Sequence, residues 1–295
     1  MIDGFLPTIN KRKILTGPAS CSRDGIQFMD LGKAHIRYRV VGEGKQTLVF
    51  ETDPPVVIEH YDELVSILRN DFRIVIFETP GFGFSIPSMR LDYGFQTMVS
   101  MIESFLDKLS LGPYLFIAPC VTAYGAIRLA QKRPDLISQL VLPQAPSWEE
   151  MMKWKVGRDP KGLLSYPILS QLLLQVLKRK RTPSWFQKAL GNKALLEPFN
   201  KIAQTAYIHG ASFNLASVFQ HFLIGSSPLS GIVSQPSLFV WGDKDQSHCN
   251  TCKKSSTSLI ESANIVYIPE AGHFPELETP AKFSEHLENF YRESI

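Results

Sequence analysis

A doubly wound, mostly parallel α/β sheet with a helical insertion is the fold class the sequence predicts. Three observations lead there: short continuous apolar runs recur along the chain, helix-period segments alternate with them, and the alternation lapses between about Ser147 and Gly225. Runs apolar on both faces suit strands covered by helices on each side. Strand then helix, repeated, winds such strands into a parallel sheet.

Residues 1–25 are rich in Pro, Gly, Ser and Lys and are expected to form an irregular arm over the surface. Ile26 to Val41 alternates as a hairpin would, and Gly42-Glu43-Gly44 turns the chain into the first apolar run, Thr47-Leu48-Val49-Phe50. Further runs follow at Arg73–Phe77, Tyr114–Ala118, Leu136–Leu142, Leu238–Trp241 and Ile265–Ile268, with helix-period segments at Tyr61–Leu68, Phe95–Leu109, Thr122–Lys132 and Pro280–Tyr291. Residues 26–146 and 226–295 thus form one core, and residues 147–225, helical in spacing over Leu163–Leu177 and Ala194–Phe222, form a cap on it.

Composition excludes several classes. In 295 residues, 44% hydrophobic and 20% charged, neither disorder nor a coiled coil is expected. The cap carries eleven Lys and Arg against four Asp and Glu, Lys178-Arg179-Lys180-Arg181 among them, while the whole chain is only +3. A solvated face accounts for this charge, and attraction of acidic carrier proteins or coenzyme A phosphates is the functional alternative. No nucleic-acid motif accompanies it, so no nucleic-acid partner is expected. No apolar run reaches membrane-spanning length, and the opening residues lack the apolar stretch of a secretory signal, so a cytoplasmic setting without a membrane span is expected. Four cysteines do not make a disulfide scaffold in a chain of this length.

Cys120 is the candidate nucleophile. In Ala118-Pro119-Cys120-Val121-Thr122 it stands between an apolar strand and a helix, with small residues two positions away on each side. Such a strained turn lifts the central side chain out of the sheet. The helix N-terminus and a nearby imidazolium are expected to lower the thiol pKa, and the Val121 N–H to serve an oxyanion hole. On these five residues alone, a buried structural cysteine is an equal reading.

Two later strand ends supply partners. Trp241-Gly242-Asp243-Lys244-Asp245 offers Asp245 as the acid that orients a histidine, with Asp243 stabilising the loop, and Ala271-Gly272-His273-Phe274-Pro275 offers His273 as base. His35, His60, His209, His221 and His286 lie in segments that read as surface or helix. The order nucleophile, acid, histidine, each at a strand's carboxyl end, supports the assignment. His248-Cys249-Asn250-Thr251-Cys252 reads as the start of a helix after the acid loop; with no second pair at zinc-site spacing, no metal and no other cofactor are expected.

These residues resemble the α/β-hydrolase superfamily. Pro80-Gly81-Phe82-Gly83-Phe84-Ser85 resembles its PGxGxS loop, residues 241–245 its WGxxD and residues 271–275 its AGHxP, over roughly residues 26–150 and 230–295. The resemblance implies a cap at the insertion and a Cys120–His273–Asp245 triad. It also implies backbone donors from Val121 and Asp53. Superfamily members with cysteine at this turn include dienelactone-hydrolase-like enzymes, polyhydroxyalkanoate synthases, carrier-bound thioesterases and cyclases. An acyl-cysteine route on a small-molecule thioester or ester, carrier- or coenzyme-A-bound in one version, is therefore the leading expectation.

One stretch departs from the family pattern. Glu51-Thr52-Asp53-Pro54 stands where HGxP is usual, and Glu78 where an aspartate precedes the PGxGxS loop. Glu51, Thr52 and Glu78 are accordingly expected in the substrate pocket. Either the Asp53 N–H still donates while its carboxylate points away or binds a polar substrate group, or the carboxylate impairs the hole. The second case points to a non-hydrolytic lyase or isomerase, or to a catalytically silent binding protein.

Overall fold

The computed structural model describes residues 2–294 and has the predicted fold class. Among the described residues, eight strands form the length of the main sheet: β1 (Ile26–Asp30), β2 (Ala34–Val41), β3 (Thr47–Glu51), β4 (Arg73–Phe77), β5 (Tyr114–Ile117), β6 (Ile137–Pro143), β7 (Ser237–Gly242) and β8 (Asn264–Ile268). Their order is β1-β2-β4-β3-β5-β6-β7-β8, with the short piece Ile86–Pro87 paired to β2. β2 runs antiparallel to both β1 and β4, and every pair from β4 to β8 is parallel.

Successive side chains of a strand face opposite sides, and this sheet has a core on each. Val49, Val75, Phe77, Phe116, Leu140, Leu142 and Phe239 pack on one side with α4 (Phe95–Leu109) and α5 (Ala123–Lys132). Their neighbours Leu48, Phe50, Ile74, Ile76, Leu115, Val141 and Val240 pack on the other with α3 (Asp62–Leu68) and the last long helix, Pro280–Glu293. The doubly apolar runs in the sequence are the direct signature of this arrangement.

Residues 2–16 differ from the expected irregular arm. Ile2–Ile9 (α1) and Lys11–Thr16 (α2) are helical, and Ile14, 1% exposed, is buried among Val57, Phe84, Ile86, Ala206 and Ala211. Tertiary burial of an apolar residue here overrides a composition that reads as loop.

Residues 147–225 hold α6 (Trp148–Arg158), α7 (Leu169–Ala189), α8 (Leu196–Ile208) and Leu215–Ser217 running into a π-helical turn, Val218–Phe222. Ser212–Phe213 pairs with Phe82–Gly83, the one strand contact described for this stretch. Ser147 Oγ accepts from the Glu150 N–H and caps α6. The basic run at residues 178–181 falls within α7.

No helix among the described residues is long and apolar enough to cross a membrane.

Candidate active site

β5 ends at Ile117, and α5 begins at Ala123 after one tight 3-10 turn, Cys120–Thr122. Cys120 has a φ of +51°. A side chain other than glycine in this left-handed region costs on the order of 1–3 kcal/mol and persists where the surroundings enforce it. Fully buried Ala118 and Ala123 let the backbone turn this sharply. The thiol, though 2% exposed, lines a cavity of about 350 Å³.

β7 and β8 deliver the other two groups. His273 Nδ1 lies 2.7 Å from Asp245 Oδ2, a contact that fixes the ring. A Cβ on Gly242 would stand 1.9 Å from the Gly272 carbonyl oxygen, so glycine is required where the acid and histidine loops cross. Gln144, just after β6, bonds Asp245 Oδ2 at 2.8 Å and the Gly272 carbonyl at 3.1 Å through Nε2, and accepts from the Gly242 N–H. The Glu278 carboxylate accepts from the N–H groups of Gly272, Phe274, Gly191 and Asn192, tying the histidine loop to the end of α7.

Asp53 occupies an unexpected position. Its Oδ2 lies 2.9 Å from His273 Nε2, the nitrogen a triad would turn toward its nucleophile. The carboxylate therefore points into the site, not away from it. Burial disfavours charge on His273, yet Asp245 and Asp53 together hold its pKa well above the ordinary histidine value. Burial likewise opposes ionisation of Asp245, and the His273 cation more than compensates, bringing that carboxyl down to about 2.

The thiol behaves opposite to the sequence expectation. Burial first, and then the negative charge of Asp53, push the Cys120 pKa up, against the lowering influence of His273. His273 Nε2 faces the Asp53 carboxylate where a triad would place the thiolate, and burial raises the Asp53 pKa against the lowering influence of His273.

Of the residues expected in the substrate pocket, Glu51 lines the cavity whereas Thr52 and Glu78 do not, and the expected oxyanion donors Asp53 and Val121 line it as well. In extended backbone the side chains of residues 51 and 53 share a side and residue 52 faces away. Glu78 is fully buried in a structural role: it pairs with Arg37 at 2.9 Å and accepts from the N–H groups of Ile58 and Phe84.

His248 also belongs to the site, beyond the residues expected from the sequence. It lies on a short turn after Asp245 (Gln246–His248), not at the start of the expected helix, and only a second turn, Lys253–Ser258, follows. Its Nε2 is 3.8 Å from Cys120 Sγ, and its ring stacks between Trp154 and His273, 5.4 Å from each. Burial drives its pKa down to about 3, Asp245 acting in the opposite sense, so His248 is neutral beside the thiol. The available signal was a histidine three residues after the orienting acid.

Glu276 is the second omission, one residue beyond the histidine motif. Both its carboxylate oxygens are buried without a hydrogen-bond partner among the described residues, and burial raises its pKa to about 8. The unfolded carboxyl loses its proton near the ordinary 4.5, so between 4.5 and about 8 the unfolded chain binds fewer protons and stability falls as pH rises. Glu276→Gln is expected to stabilise the protein by on the order of 3 kcal/mol in urea unfolding at pH 8.5 and by little at pH 5. An equal effect at both pH values would show that the carboxyl is not held neutral.

Apolar side chains dominate the cavity wall, including Phe82, Met98, Ile102, Leu164, Leu174 and Phe219. The cations Arg158, Lys178 and Arg181, all from residues 147–225, also line it. The Arg158 guanidinium lies over the rings of Trp185 and Trp154, 4.4 and 5.3 Å from their centroids.

Comparison with known proteins agrees with this architecture. The profile described as alpha/beta hydrolase fold matches residues 56–280. A rice protein (Oryza sativa subsp. japonica) named as a probable esterase is 36% identical over 120 residues, 36% of this chain and 41% of its own length. The uncharacterized hydrolase YugF of Bacillus subtilis (strain 168) is 20% identical over 260 residues, 84% of this chain and 91% of its own. Among solved structures, the Cif epoxide hydrolase from Acinetobacter nosocomialis superposes with a TM-score of 0.74 at 14% identity, covering 96% of each chain. The Bacillus megaterium epoxide hydrolase in complex with an inhibitor gives 0.66 at 16% identity, covering 90% of this chain and 100% of that one. At such identities, these structures speak for the fold alone.

Proposed function

Because this chain belongs to the alpha/beta hydrolase fold family, we propose that it is an acyl-transfer enzyme acting on an apolar ester or thioester through an acyl-cysteine at Cys120. The observation that carries this reading is Cys120 itself, held at φ +51° on the wall of a mainly apolar cavity and grouped with His273 and Asp245. The rice relative's name, a probable esterase, is of the same reaction class.

In this mechanism the substrate's acyl chain occupies the apolar cavity, and its arrival displaces Asp53, whose pKa burial raises and which leaves carrying the Nε2 proton, so that His273 becomes the neutral base. The thiol proton passes to the base, sulfur bonds to the carbonyl carbon, and the carbonyl electron pair moves onto oxygen. N–H groups of Val121 and Asp53 stabilise that oxyanion. Collapse expels the alkoxide or thiolate, which takes the proton from the imidazolium, and water or a second nucleophile then releases the acyl group. Asp245 keeps His273 oriented throughout. Carrier-protein or coenzyme A thioesters would engage the cations on α6 and α7.

The test is turnover of p-nitrophenyl esters and acyl thioesters of graded chain length. Medium or long chains are expected to react fastest, and Cys120→Ala to lose at least a thousandfold. Undiminished turnover in that variant would refute the cysteine route.

The Asp53–His273 contact favours a second reading, acid–base chemistry of a lyase or isomerase type, with the imidazolium as acid and a carboxylate as base. It predicts turnover of non-ester substrates that survives Cys120→Ala and collapses in Asp53→Asn. A catalytically silent receptor would bind ligand in the same cavity with neither effect.

A further inference from the structure

Four donor atoms converge around Cys120 in a pattern that acyl transfer does not require. Ligand atoms of Cys120, His248 and His273 lie within 4.8 Å of one another, and all three residues are buried. Asp53 Oδ2 reaches the same place, 2.9 Å from His273 Nε2. Both imidazoles are also held from behind. Asp245 Oδ2 and Ser247 Oγ lie 2.7 and 3.1 Å from His273 Nδ1, and Thr251 Oγ1 lies 3.0 Å from His248 Nδ1. Metal-binding histidines are held in this way, with the far nitrogen oriented by a hydrogen-bond partner and the near nitrogen turned toward the ion.

We propose that Cys120, His248, His273 and Asp53 form a site for one zinc-class divalent ion, and that the occupied site has no free nucleophile. A tetrahedral zinc ion with ordinary bond lengths separates sulfur from nitrogen by about 3.6 Å. The Cys120 Sγ to His248 Nε2 distance is already 3.8 Å. The rings of His248 and His273 are stacked 6° from parallel, so one of them must turn for both nitrogens to meet a single ion.

The donor set of one sulfur, two nitrogens and one oxygen suits zinc and disfavours magnesium and calcium, which prefer all-oxygen cages. Two protons leave on binding, one from the thiol and one from between His273 Nε2 and Asp53. The ion's two positive charges are then matched by a thiolate and a carboxylate, so a buried site gains no net charge. Trp154, stacked on His248, and Trp185, edge-on to His273, wall the site with aromatic rings. The exposed Cys249 and Cys252 take no part.

Cobalt(II) serves as the probe, added to chelator-treated, reduced protein. One equivalent is expected to produce a thiolate-to-cobalt charge-transfer absorption, displaced by one equivalent of zinc. The absorption should vanish in Cys120→Ser, persist in the Cys249→Ser/Cys252→Ser double variant, and need at least tenfold more cobalt in Thr251→Val, which loses the hydroxyl behind His248. A measurement on the unaltered protein guards against misfolded variants: zinc should block iodoacetamide modification of Cys120, and chelator should restore it. No charge-transfer band, a band that persists in Cys120→Ser, or one lost with Cys249 and Cys252 would overturn the site. Acylation assays run in chelator report on the nucleophile independently, so either reading can fail without the other.

Discussion

Asp53→Asn is expected to increase the rate of Cys120 alkylation by iodoacetamide at pH 7 by tenfold or more, measured in the presence of chelator. In the native arrangement the Asp53 charge pushes the thiol pKa up and binds the imidazolium that would otherwise pair with a thiolate. Asparagine keeps the size and can still meet Nε2, but it removes the negative charge. A carboxylate at this range shifts a neighbour by about one to three pKa units, and each unit changes the thiolate fraction tenfold. The expected pH profile moves accordingly: reactivity of the native protein should rise only above the ordinary thiol range, and that of the variant nearer neutrality. His273→Gln combined with Asp53→Asn should cancel the gain, because the cation that stabilises the thiolate is then absent. Equal rates in native protein and Asp53→Asn would mean that Asp53 does not govern the thiol.

Arg37→Met is expected to lower unfolding free energy by about 3–5 kcal/mol, the typical cost of leaving buried charges without their partner. Arg37 is fully buried, with Nη1 2.9 Å from Glu78 and Nη2 2.5 Å from Glu59, and its Nε donates to the Ala19 carbonyl. Burial works against ionisation of Glu59, but Arg37 overcomes it and holds that carboxyl near 2. Without the guanidinium both glutamates take up protons more readily, so the deficit should shrink as pH falls toward 5. Adding Glu78→Gln should recover part of the loss in chemical denaturation. A loss under 1 kcal/mol would show that water or another cation replaces the guanidinium.

Much of the fold was legible because it rests on local pattern. Doubly apolar runs become strands packed on both sides, as Leu48 and Val49 show by entering opposite cores. Cys120, Asp245 and His273 were legible for the same reason, since each follows its own apolar run in the sequence. What escaped depends on contacts between loops far apart in the chain. Gln144 and Glu278 hold the acid and histidine loops through backbone groups, and nothing in their flanking residues announces that. His248 read as part of a cysteine-containing segment, because its stacking on Trp154 and His273 arises only once helix α6 and two separate loops meet. Glu78 read as a pocket residue because its partner, Arg37, lies 41 positions away on β2. The departure at Glu51–Pro54 was visible as an anomaly, but its consequence, a carboxylate on His273 Nε2, required the distance.

The proposed chemistry stands on whether the sulfur of Cys120 carries the acyl group. Incubating the protein in chelator with apolar acyl thioesters, quenching in acid and measuring intact mass followed by peptide mapping tests this directly. An acyl-cysteine route gives a mass increase of one acyl group on the peptide containing Cys120, released by hydroxylamine and absent in Cys120→Ala. Substrate turnover with no adduct on Cys120 at any chain length or quench time would contradict it.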